Sequence, residues 1–494
     1  MTKQRFNDAF QHHLSQRLKY VPHANPDGQG LNLEDHQQET TQKILFALKQ
    51  QRRQSLSAVA SCGSGKTLVE INLIGASQAA KNQLGINDKT KDLLVTVGRA
   101  PVEGVRQQFT DLGIDTGLWS GGERDLDHPV IVAGIHALQM AQSRRELKKL
   151  LPPGTLDLLI VDEADCFLTP FRRKIVQSLH PHIKVGLTAT PIWPDGRSIT
   201  DEFGPQVDEL DLREGILKGI NANPEVMFYE SQIREEDLKI RKGDYDQGVL
   251  EAAWKHAELH LAIPEVYEHL VGESDRKKFP TLVYVPSVNL VQATTKSLNQ
   301  QFGEKIKIVG WDGKNTSTSK MKDDMEAFKK GEIQMIVLCE MGGRGMNLEN
   351  AMLLIDAYPT MSLNKLTQRH GRVLRKVREG SILWNNGWRK NKAFIAQIVP
   401  KALKYRPALF TDILGGYQQF MQLKGEGEGA GGTPPEDPID ILRKRIEGKK
   451  PPTRVSLIKK IDALDIIQRR VDLPQEDETG FFRLPRRYIQ SNKR

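Results

Sequence analysis

ASCGSGKTLVE, the stretch from Ala60 to Glu70, forms a glycine-rich turn between a short apolar segment and a longer helical pattern. The apolar residues 56–59 before the turn predict a buried strand, and the spacing of LVEINLIGASQAA after it predicts a helix. Backbone amides at the start of such a helix can bind an anion, and glycines let the backbone approach it closely. The stretch therefore predicts a phosphate-binding loop, with Ala60 standing where the strict pattern has glycine.

Four residues of this loop have specific expected roles. Gly63 and Gly65 keep Cβ atoms out of the space that a phosphate would fill. Lys66 is expected to reach the β and γ phosphates of a nucleotide, and the hydroxyl of Thr67 is expected to hold Mg²⁺. The residue types and their order therefore predict a site for a nucleoside triphosphate with Mg²⁺.

The composition narrows the class of protein. A chain of 494 residues allows two or three domains, and the net charge of +9 favours a polyanionic partner. No apolar run reaches the ~18 residues of a membrane span, and the polar N-terminus lacks the apolar core of a secretory signal. The three cysteines are far apart and suggest neither a zinc site nor a disulfide framework. We therefore expect a cytoplasmic protein without a membrane partner, with the mitochondrial matrix as a minor alternative.

Apolar strand patterns alternate with helical patterns in two parts of the chain, which predicts two parallel α/β sheets. The strands predicted for the first part lie within 56–59, 93–98, 130–138, 156–165 and 184–191. Those predicted for the second part lie within 281–286, 305–310, 335–340, 352–356 and 392–399.

Changes in composition divide the chain into five segments. We predict an N-terminal extension at 1–30, a first domain at 31–222, a helical linker segment at 223–272, a second domain at 273–402 and a C-terminal extension at 403–494. The last segment contains a Gly- and Pro-rich flexible linker followed by a basic tail. Within this tail, IDILRKRI and SLIKKIDALDIIQRR predict helices.

The fourth predicted strand ends in the acidic run Asp162-Glu163-Ala164-Asp165. An acidic group at this place, beside a phosphate loop, is suited to bind Mg²⁺. We expect Asp162 to bind Mg²⁺ through water and Glu163 to orient or deprotonate the attacking water. In the later segment GLTATP, the hydroxyls of Thr188 and Thr190 can hydrogen-bond to acidic groups on the neighbouring strand.

The second part of the chain contributes QRHGRVLR, from Gln368 to Arg375. Arg372 and Arg375 are three residues apart, which predicts that they lie on one face of a helix. Paired guanidinium groups on one face suit the charge of a γ-phosphoryl group in transfer. This segment therefore predicts a second half of the nucleotide site.

Together these segments resemble the superfamily 2 helicases and translocases, in which two tandem RecA-like domains hold ATP in the cleft between them. The branch that is most similar is that of the XPB-like proteins and the restriction subunits. The matching segments are ASCGSGKT (motif I), VGRAPVEGVRQQF (motif Ia), DEAD (motif II), TAT (motif III), TLVYVPSV (motif IV), GGRGMNLE (motif V), QRHGRVLR (motif VI) and LEDHQ (the adenine-sensing glutamine motif).

The resemblance implies an α/β fold of two tandem RecA-like parallel-sheet domains with a basic, mostly helical C-terminal extension. It implies catalytic roles for Lys66, Asp162, Glu163, Gln368, Arg372 and Arg375, with Thr67 and Asp162 at Mg²⁺. It implies that ATP is bound by Gln37, Gly63, Ser64, Gly65, Lys66, Thr67, Gly345 and Asn347, although motif V more often has Asp at the last of these positions. It implies that nucleic acid is contacted by Arg99, Thr188, Thr190, Ser287 and Arg344.

The function that the resemblance implies is an ATP-dependent helicase or translocase, which hydrolyses ATP to ADP and phosphate to move on DNA or unwind it. One alternative is an RNA helicase. Another is an ATP-gated clamp or remodeller of nucleic acid that does not separate strands. DNA is favoured over RNA by the branch of the family, and the sequence indicates no particular protein partner.

Overall fold

A computed structural model describes residues 3–25, 27–86, 89–192, 196–312, 316–339, 348–377, 383, 389–401, 406–414 and 452–462. In these ranges the chain forms two large sheets, one of eight strands and one of seven. Each sheet is parallel except for one antiparallel strand at its edge. The predicted α/β class with two parallel sheets is confirmed.

The first sheet has the order β10-β3-β9-β8-β4-β7-β5-β6, and a separate two-stranded ribbon pairs β1 with β2. These strands are β1 (Tyr20–Val21), β2 (Leu31–Asn32), β3 (Ser55–Ala60), β4 (Lys91–Thr96), β5 (Thr116–Ser120), β6 (Glu123–Arg124), β7 (Val130–Gly134), β8 (Leu156–Asp162), β9 (Ile183–Thr188) and β10 (Gln206–Leu210). The five strands predicted here are all present.

Helices cover this sheet, and the first of them comes from the segment predicted as an N-terminal extension. The apolar side chains of Phe6, Phe10 and Leu14 on this helix are buried, and it packs against the helix that follows the phosphate loop. The helices are α1 (Lys3–Gln16), α2 (Asp35–Lys49), α3 (Lys66–Leu84), α4 (Arg99–Asp111), α5 (Ile135–Ser143), α6 (Leu147–Leu150), α7 (Pro170–Leu179), α8 (Thr200–Phe203) and α9 (Leu212–Leu217), with a 3-10 turn at Ala164–Phe167.

The second sheet has the order β15-β16-β14-β17-β18-β11-β19, and β12 and β13 form a small hairpin beside it. Its strands are β11 (Asn223–Arg234), β12 (Ile240–Arg241), β13 (Asp244–Tyr245), β14 (Thr281–Tyr284), β15 (Ile308–Trp311), β16 (Met335–Leu338), β17 (Leu353–Asp356), β18 (Lys392–Lys401) and β19 (Ser456–Asp462). Its helices are α10 (Gln247–His256), α11 (Leu259–Leu270), α12 (Val288–Phe302), α13 (Thr318–Lys329), α14 (Leu363–Val373) and α15 (Phe410–Ile413), with 3-10 turns at Glu235–Asp237 and Glu273–Lys278.

Two predicted helical segments begin as strands instead. The segment 223–272 opens with the twelve residues of β11, whose first seven residues are buried and which pairs with β18. Residues 456–462 of the predicted tail helix form β19, which pairs antiparallel with the outer edge of β11. Because an edge strand offers a row of unpaired backbone groups, it can impose strand pairing on a segment whose own pattern is ambiguous.

The topology brings the chemical segments of the first domain together. Strand β9 lies between β3 and β8, and all three run parallel. Their carboxyl ends therefore meet at one edge of the sheet, which is where α/β sheets hold their ligands. Of the helices that the structure describes, none is long and apolar enough to cross a membrane.

Candidate active site

The phosphate loop joins β3 to α3 in the predicted setting. Gly63 and Gly65 have φ of +88° and +78°, which is the left-handed region where a Cβ is strained. Lys66 is the first residue of α3, and its ammonium lies 3.3 Å from the carbonyl oxygen of Ala60, to which it donates. The loop thus turns back on itself, and the carbonyl oxygen of Ala60 holds the ammonium of its lysine.

Residues of α2 hold the loop from behind. The side-chain amide of Gln37 donates to the carbonyl oxygen of Ser64 at 2.9 Å, and the Nε2 of His36 contacts the same oxygen at 2.7 Å. The Oε1 of Gln37 accepts from the backbone N–H of Glu34 at 3.0 Å, closing a capping box at the start of α2. Sequence reasoning selected Gln37 but missed His36, its direct neighbour.

The acidic run begins where β8 ends. Asp162 accepts a hydrogen bond from the hydroxyl of Thr96 at 3.1 Å and another from the backbone N–H of Glu163 at 2.9 Å. Glu163 has φ of +51°, an uncommon conformation for a non-glycine residue. Its Oε2 is buried and has no hydrogen-bond partner in the described part of the chain. A strained backbone therefore holds a carboxylate oxygen ready for a further ligand.

The charges of the loop and of the acidic run act on one another. Burial alone would lower the pKa of Lys66, but the charges of Glu163 and Asp162 outweigh it and raise this pKa. Burial, together with the charge of Glu163, raises the pKa of Asp162 to about 6 and that of Asp165 to about 7. Burial also raises the pKa of Glu70, one turn after Lys66, well above its ordinary value. The site has more carboxylates than one lysine can neutralise.

The two threonines predicted to contact nucleic acid lie inside the protein. Thr188 is fully buried, and its hydroxyl donates to Asp165 at 2.6 Å. The backbone N–H of Thr190 donates in turn to this hydroxyl at 3.1 Å, and Thr190 is also buried. The expected bond from a threonine to an acidic group beside the neighbouring strand is therefore present, and contact of Thr188 and Thr190 with nucleic acid stays a prediction.

The arginines of QRHGRVLR have different surroundings. Arg369, buried within α14, donates to Asp356 at 2.8 Å and to the carbonyl oxygen of Tyr358 at 2.6 Å. His370 contacts the other oxygen of Asp356 at 2.7 Å, and burial lowers the pKa of this histidine. Arg372 is also buried, yet its Nε and Nη1 have no hydrogen-bond partner among the described residues. Arg369 thus stabilises the domain, while Arg372 has donors left for a ligand.

Arg375 lines the cleft, but it does not lie on the helix that was predicted to carry it. Helix α14 ends at Val373, and Arg375 lies beyond it in an isolated antiparallel bridge with Asn221. The prediction that Arg372 and Arg375 share one helix face is therefore wrong. The side chain of Arg375 packs against the phosphate loop so closely that a Cβ on Gly63 would lie 2.6 Å from its Cγ.

A second contact of this kind lies beside it. A Cβ on Gly371 of α14 would lie 2.5 Å from the Cβ of Cys62 in the phosphate loop. Since real Cβ atoms do not approach this closely, only glycine at this position lets the two domains meet. The phosphate loop of the first domain and the arginine segment of the second are in direct contact.

Between the domains lies a cleft of about 240 Å³. The expected site residues that line it are Gly63, Gly65, Lys66, Thr67, Asp162, Glu163, Gln368, Arg372 and Arg375. Lining residues that sequence reasoning did not select include Thr96, Gln108, Glu349 and Lys376. Thr96 could have been found, because it ends the strand next to β8 and so meets the acidic run.

Other expected residues lie elsewhere or outside the described ranges. Ser287 caps α12, where its hydroxyl accepts from the backbone N–H of Leu290. Arg99 is the first residue of α4, and its side chain is outside the description. Arg344, Gly345 and Asn347 all fall in the segment 340–347, which the structure does not describe.

Two family models match the chain, one on each side of the cleft. Residues 30–193 match the model of the type III restriction enzyme, res subunit. Residues 262–377 match the helicase conserved C-terminal domain. The first match contains the phosphate loop and the acidic run, and the second contains QRHGRVLR.

Two curated relatives are similar to this chain at low identity. The chain is 24% identical over 346 residues to the XPB helicase/translocase subunit of general transcription and DNA repair factor IIH from Encephalitozoon cuniculi, covering 66% of this chain and 47% of that one. It is 23% identical over 364 residues to the pre-mRNA-splicing ATP-dependent RNA helicase PRP28 of Saccharomyces cerevisiae, covering 71% and 58%. The chain spans about half the length of the curated relatives it matches.

A solved structure shares the fold. Mss116p bound to single-stranded RNA and AMP-PNP superposes with a TM-score of 0.51 at 16% identity, covering 79% of this chain and 72% of that one. An identity this low shows a shared fold of two RecA-like domains and nothing further.

Proposed function

Because this chain belongs to the superfamily 2 helicases, in the branch of the type III restriction res subunit, we propose that it is an ATP-driven motor on nucleic acid. It hydrolyses ATP to ADP and phosphate, and the cleft between its domains closes and reopens with each cycle. The relative movement of the two domains then drives translocation along the nucleic acid or separation of its strands.

One observation carries this proposal. Arg372 of the second domain and Lys66 and Glu163 of the first line the same cleft. In such an arrangement, cations from both domains would contact the phosphates of one bound triphosphate. Loss of the γ-phosphate would therefore change the contacts of both domains at once. A phosphate loop alone would support nucleotide binding, whereas a site completed by a second domain supports a motor.

Mg²⁺ fits the donor set of this site. Asp162 and Glu163 supply hard carboxylate oxygens beside the hydroxyl of Thr67, and the Oε2 of Glu163 is buried without a partner among the described residues. Burial, and after it the charge of Glu163, raises the pKa of Asp162, and a bound divalent cation would favour the ionised carboxylate. When bound, Mg²⁺ would neutralise charge on the β and γ phosphates.

The positions of the side chains in the cleft support the remaining proposed roles. Lys66 neutralises the phosphates, and Glu163 orients the attacking water and accepts its proton. Gln368 and the two arginines, Arg372 and Arg375, stabilise the charge of the transferring phosphoryl group from the opposite side. Gln37 supports the loop through its bond to Ser64, and its role in reading the adenine of ATP stays a prediction.

DNA is the proposed nucleic acid. The res-subunit model covers the first domain, and the name of the XPB relative includes DNA repair. We also propose that Arg99, Ser287 and Arg344 contact the nucleic-acid backbone. RNA is the alternative outcome, since PRP28 is named as an RNA helicase.

The test is steady-state ATP hydrolysis by the purified chain against single-stranded DNA, duplex DNA, branched DNA and RNA. We expect DNA to stimulate hydrolysis above the rate without nucleic acid. The Lys66→Ala variant, purified in parallel, measures any contaminating ATPase. Stronger stimulation by RNA than by any DNA would overturn the choice of substrate but not the motor. Absence of hydrolysis on every substrate would reject the motor.

A further inference from the structure

Asn221 lies on the short segment that carries the chain from the first sheet to the second. It comes four residues after α9 and two residues before β11. Its side chain is buried, with 2% of the residue exposed. No role assigned above involves it, although its side chain forms hydrogen bonds with the phosphate loop.

The side-chain amide of Asn221 both accepts a hydrogen bond from the loop and donates one to it. Its Oδ1 accepts from the hydroxyl of Ser61 at 2.8 Å. Its Nδ2 donates to the carbonyl oxygen of Cys62 at 2.8 Å and lies 3.5 Å from the carbonyl oxygen of Leu374. Because one end accepts and the other donates, an aspartate of the same shape cannot make both bonds.

The backbone around Asn221 is fixed to the segment that carries Arg375. Asn221 and Arg375 form an antiparallel bridge, and the N–H of Ala222 donates to the carbonyl oxygen of Leu374 at 2.9 Å. The side chain of Asn221 therefore holds the loop, while its main chain holds the arginine segment.

A glycine in α9 makes room for this contact. A Cβ on Gly215 would lie 2.2 Å from the Oδ1 of Asn221 and 2.9 Å from the hydroxyl oxygen of Ser61. The carbonyl oxygen of Gly215 also accepts from the backbone N–H groups of Ile220 and Asn221, at 2.8 and 2.9 Å. The junction between the domains is thus built tightly around one side-chain amide.

We propose that Asn221 is a positioning residue that sets the side chain of Arg375 against the phosphate loop. The proposal rests on the ATPase function above. It follows from the close packing of Arg375 on Gly63, since any slackening at Asn221 moves the arginine relative to the phosphates. A displacement of ~1 Å from a residue outside the chemistry can lower turnover on the order of 100-fold.

The experiment compares Asn221→Ala and Asn221→Asp with the wild type under saturating nucleic acid. We expect kcat to fall on the order of 10- to 100-fold while the dissociation constant of a fluorescent ATP analogue changes less than about threefold. The aspartate variant should be at least as impaired as the alanine variant, because it sets a carboxylate against the carbonyl oxygen of Cys62.

Asn72→Asp is the matched control. The Nδ2 of Asn72 also donates to a backbone carbonyl, that of Arg17 at 3.0 Å, but within the first domain and away from the cleft. This residue is likewise buried, so the variant measures what a buried carboxylate costs in stability. We expect it to melt at a lower temperature and to keep the wild-type kcat.

A double-mutant cycle with Arg375→Ala separates positioning from a general structural role. If Asn221 acts through Arg375, Asn221→Ala should cause little further loss of the single-turnover rate in the Arg375→Ala background. Independent losses that add, or loss of nucleotide binding as large as the loss of kcat, would overturn the proposal. Should both Asn221 variants fail to fold, Ser61→Ala removes the partner hydroxyl and must lower kcat in the same way.

The outcomes distinguish this inference from the proposed function. A wild type that hydrolyses ATP, with Asn221 variants that match it, rejects the role of Asn221 and leaves the motor intact. A wild type without hydrolysis rejects both. Gly215→Ala provides an independent perturbation of the same contact, and wild-type turnover in that variant would also count against the role of Asn221.

Discussion

At the scale of single residues, two arginines of α14 differ in whether their side-chain donors already have acceptors. Arg369 and Arg372 lie one turn apart on α14, and both are buried. The Nη1 of Arg369 has two acceptors and its Nη2 has none, whereas both the Nε and the Nη1 of Arg372 have none among the described residues. An unsatisfied buried guanidinium is costly, so its presence at this place indicates a ligand that supplies the missing acceptors.

The two arginines therefore predict opposite outcomes for one kind of substitution. We expect Arg372→Ala to lower turnover strongly and to leave the melting temperature unchanged or raised, because it removes unpaired donors. We expect Arg369→Ala to cost about 3–5 kcal/mol, because it leaves Asp356 buried without its cation. Thermal melting and ATPase assays on both variants check this. Equal loss of stability in the two variants would contradict the assignment of Arg372 to ligand binding.

Glu163→Gln tests the carboxylate that has no partner on Oε2. The substitution keeps the shape and removes the base, so we expect turnover to fall on the order of 10²- to 10⁴-fold with nucleotide binding retained. Turnover and binding of a fluorescent ATP analogue are measured on the same preparation. Glu304→Gln, at an exposed site in the second domain, is the control for loss of one negative charge. Turnover near that of the control would remove Glu163 from the site.

Lys390 predicts a dependence of stability on pH. It is buried, donates to the carbonyl oxygens of Glu349 and Ala351, and burial lowers its pKa from 10.5 to about 7. Above pH ~7 the folded state has released a proton that the unfolded state still binds, so this lysine makes stability rise with pH up to ~10.5. Melting temperatures of the wild type and Lys390→Met at about pH 6 and about pH 9 check this. The advantage of the methionine variant should shrink as pH rises, and a constant difference would contradict it.

At the scale of elements, β19 determines where the C-terminal tail starts. This strand covers the outer edge of β11, Val455 just before it is buried, and the guanidinium of Arg454 contacts Glu265 on α11. Its last residue, Asp462, pairs with Glu225 near the start of β11. The described part of the C-terminal segment therefore ends beside the junction that contains Asn221.

Two truncations separate the strand from the tail. Ending the chain after Asp462 should leave the melting temperature unchanged and weaken binding to nucleic acid, since it removes the basic and aromatic residues 463–494. Ending it after Lys424 also removes β19, so we expect a lower melting temperature and aggregation through the exposed edge of β11. Melting curves and binding titrations check both. Unchanged affinity for nucleic acid in the chain that ends after Asp462 would show that the tail does not bind nucleic acid.

At the scale of the whole molecule, the positive net charge should appear as a salt dependence. A motor that grips the backbone of nucleic acid releases counterions, about 0.7–0.9 for each phosphate neutralised. For about three such contacts, we expect apparent affinity to fall on the order of 10- to 100-fold between about 50 and about 200 mM salt. Stimulation of ATPase at each salt concentration measures this. An affinity that does not change with salt would indicate that phosphate contacts are not the basis of binding.

The sequence alone was sufficient for the loop, the acidic strand end and the alternation of strands and helices. These features depend on neighbours within a few residues, because a glycine turn or a buried strand is specified by local pattern. The residues Gly63, Lys66, Asp162 and Glu163 could be selected without a structure for this reason. Gln37 was selected by its motif, but its bond to Ser64 was not foreseen.

Tertiary structure alone determined β11, β19 and the partners of the arginines. The edge of β18 turns residues 223–234 into a strand, and the edge of β11 does the same for 456–462. Nothing in QRHGRVLR tells which arginine meets Asp356, since that depends on how α14 is rotated against β17. Asn221 shows the same limit most clearly, because its partners are ~160 residues before it and ~150 after it. Contacts that close across such distances are set by how whole sheets pack, and local sequence carries no signal for them.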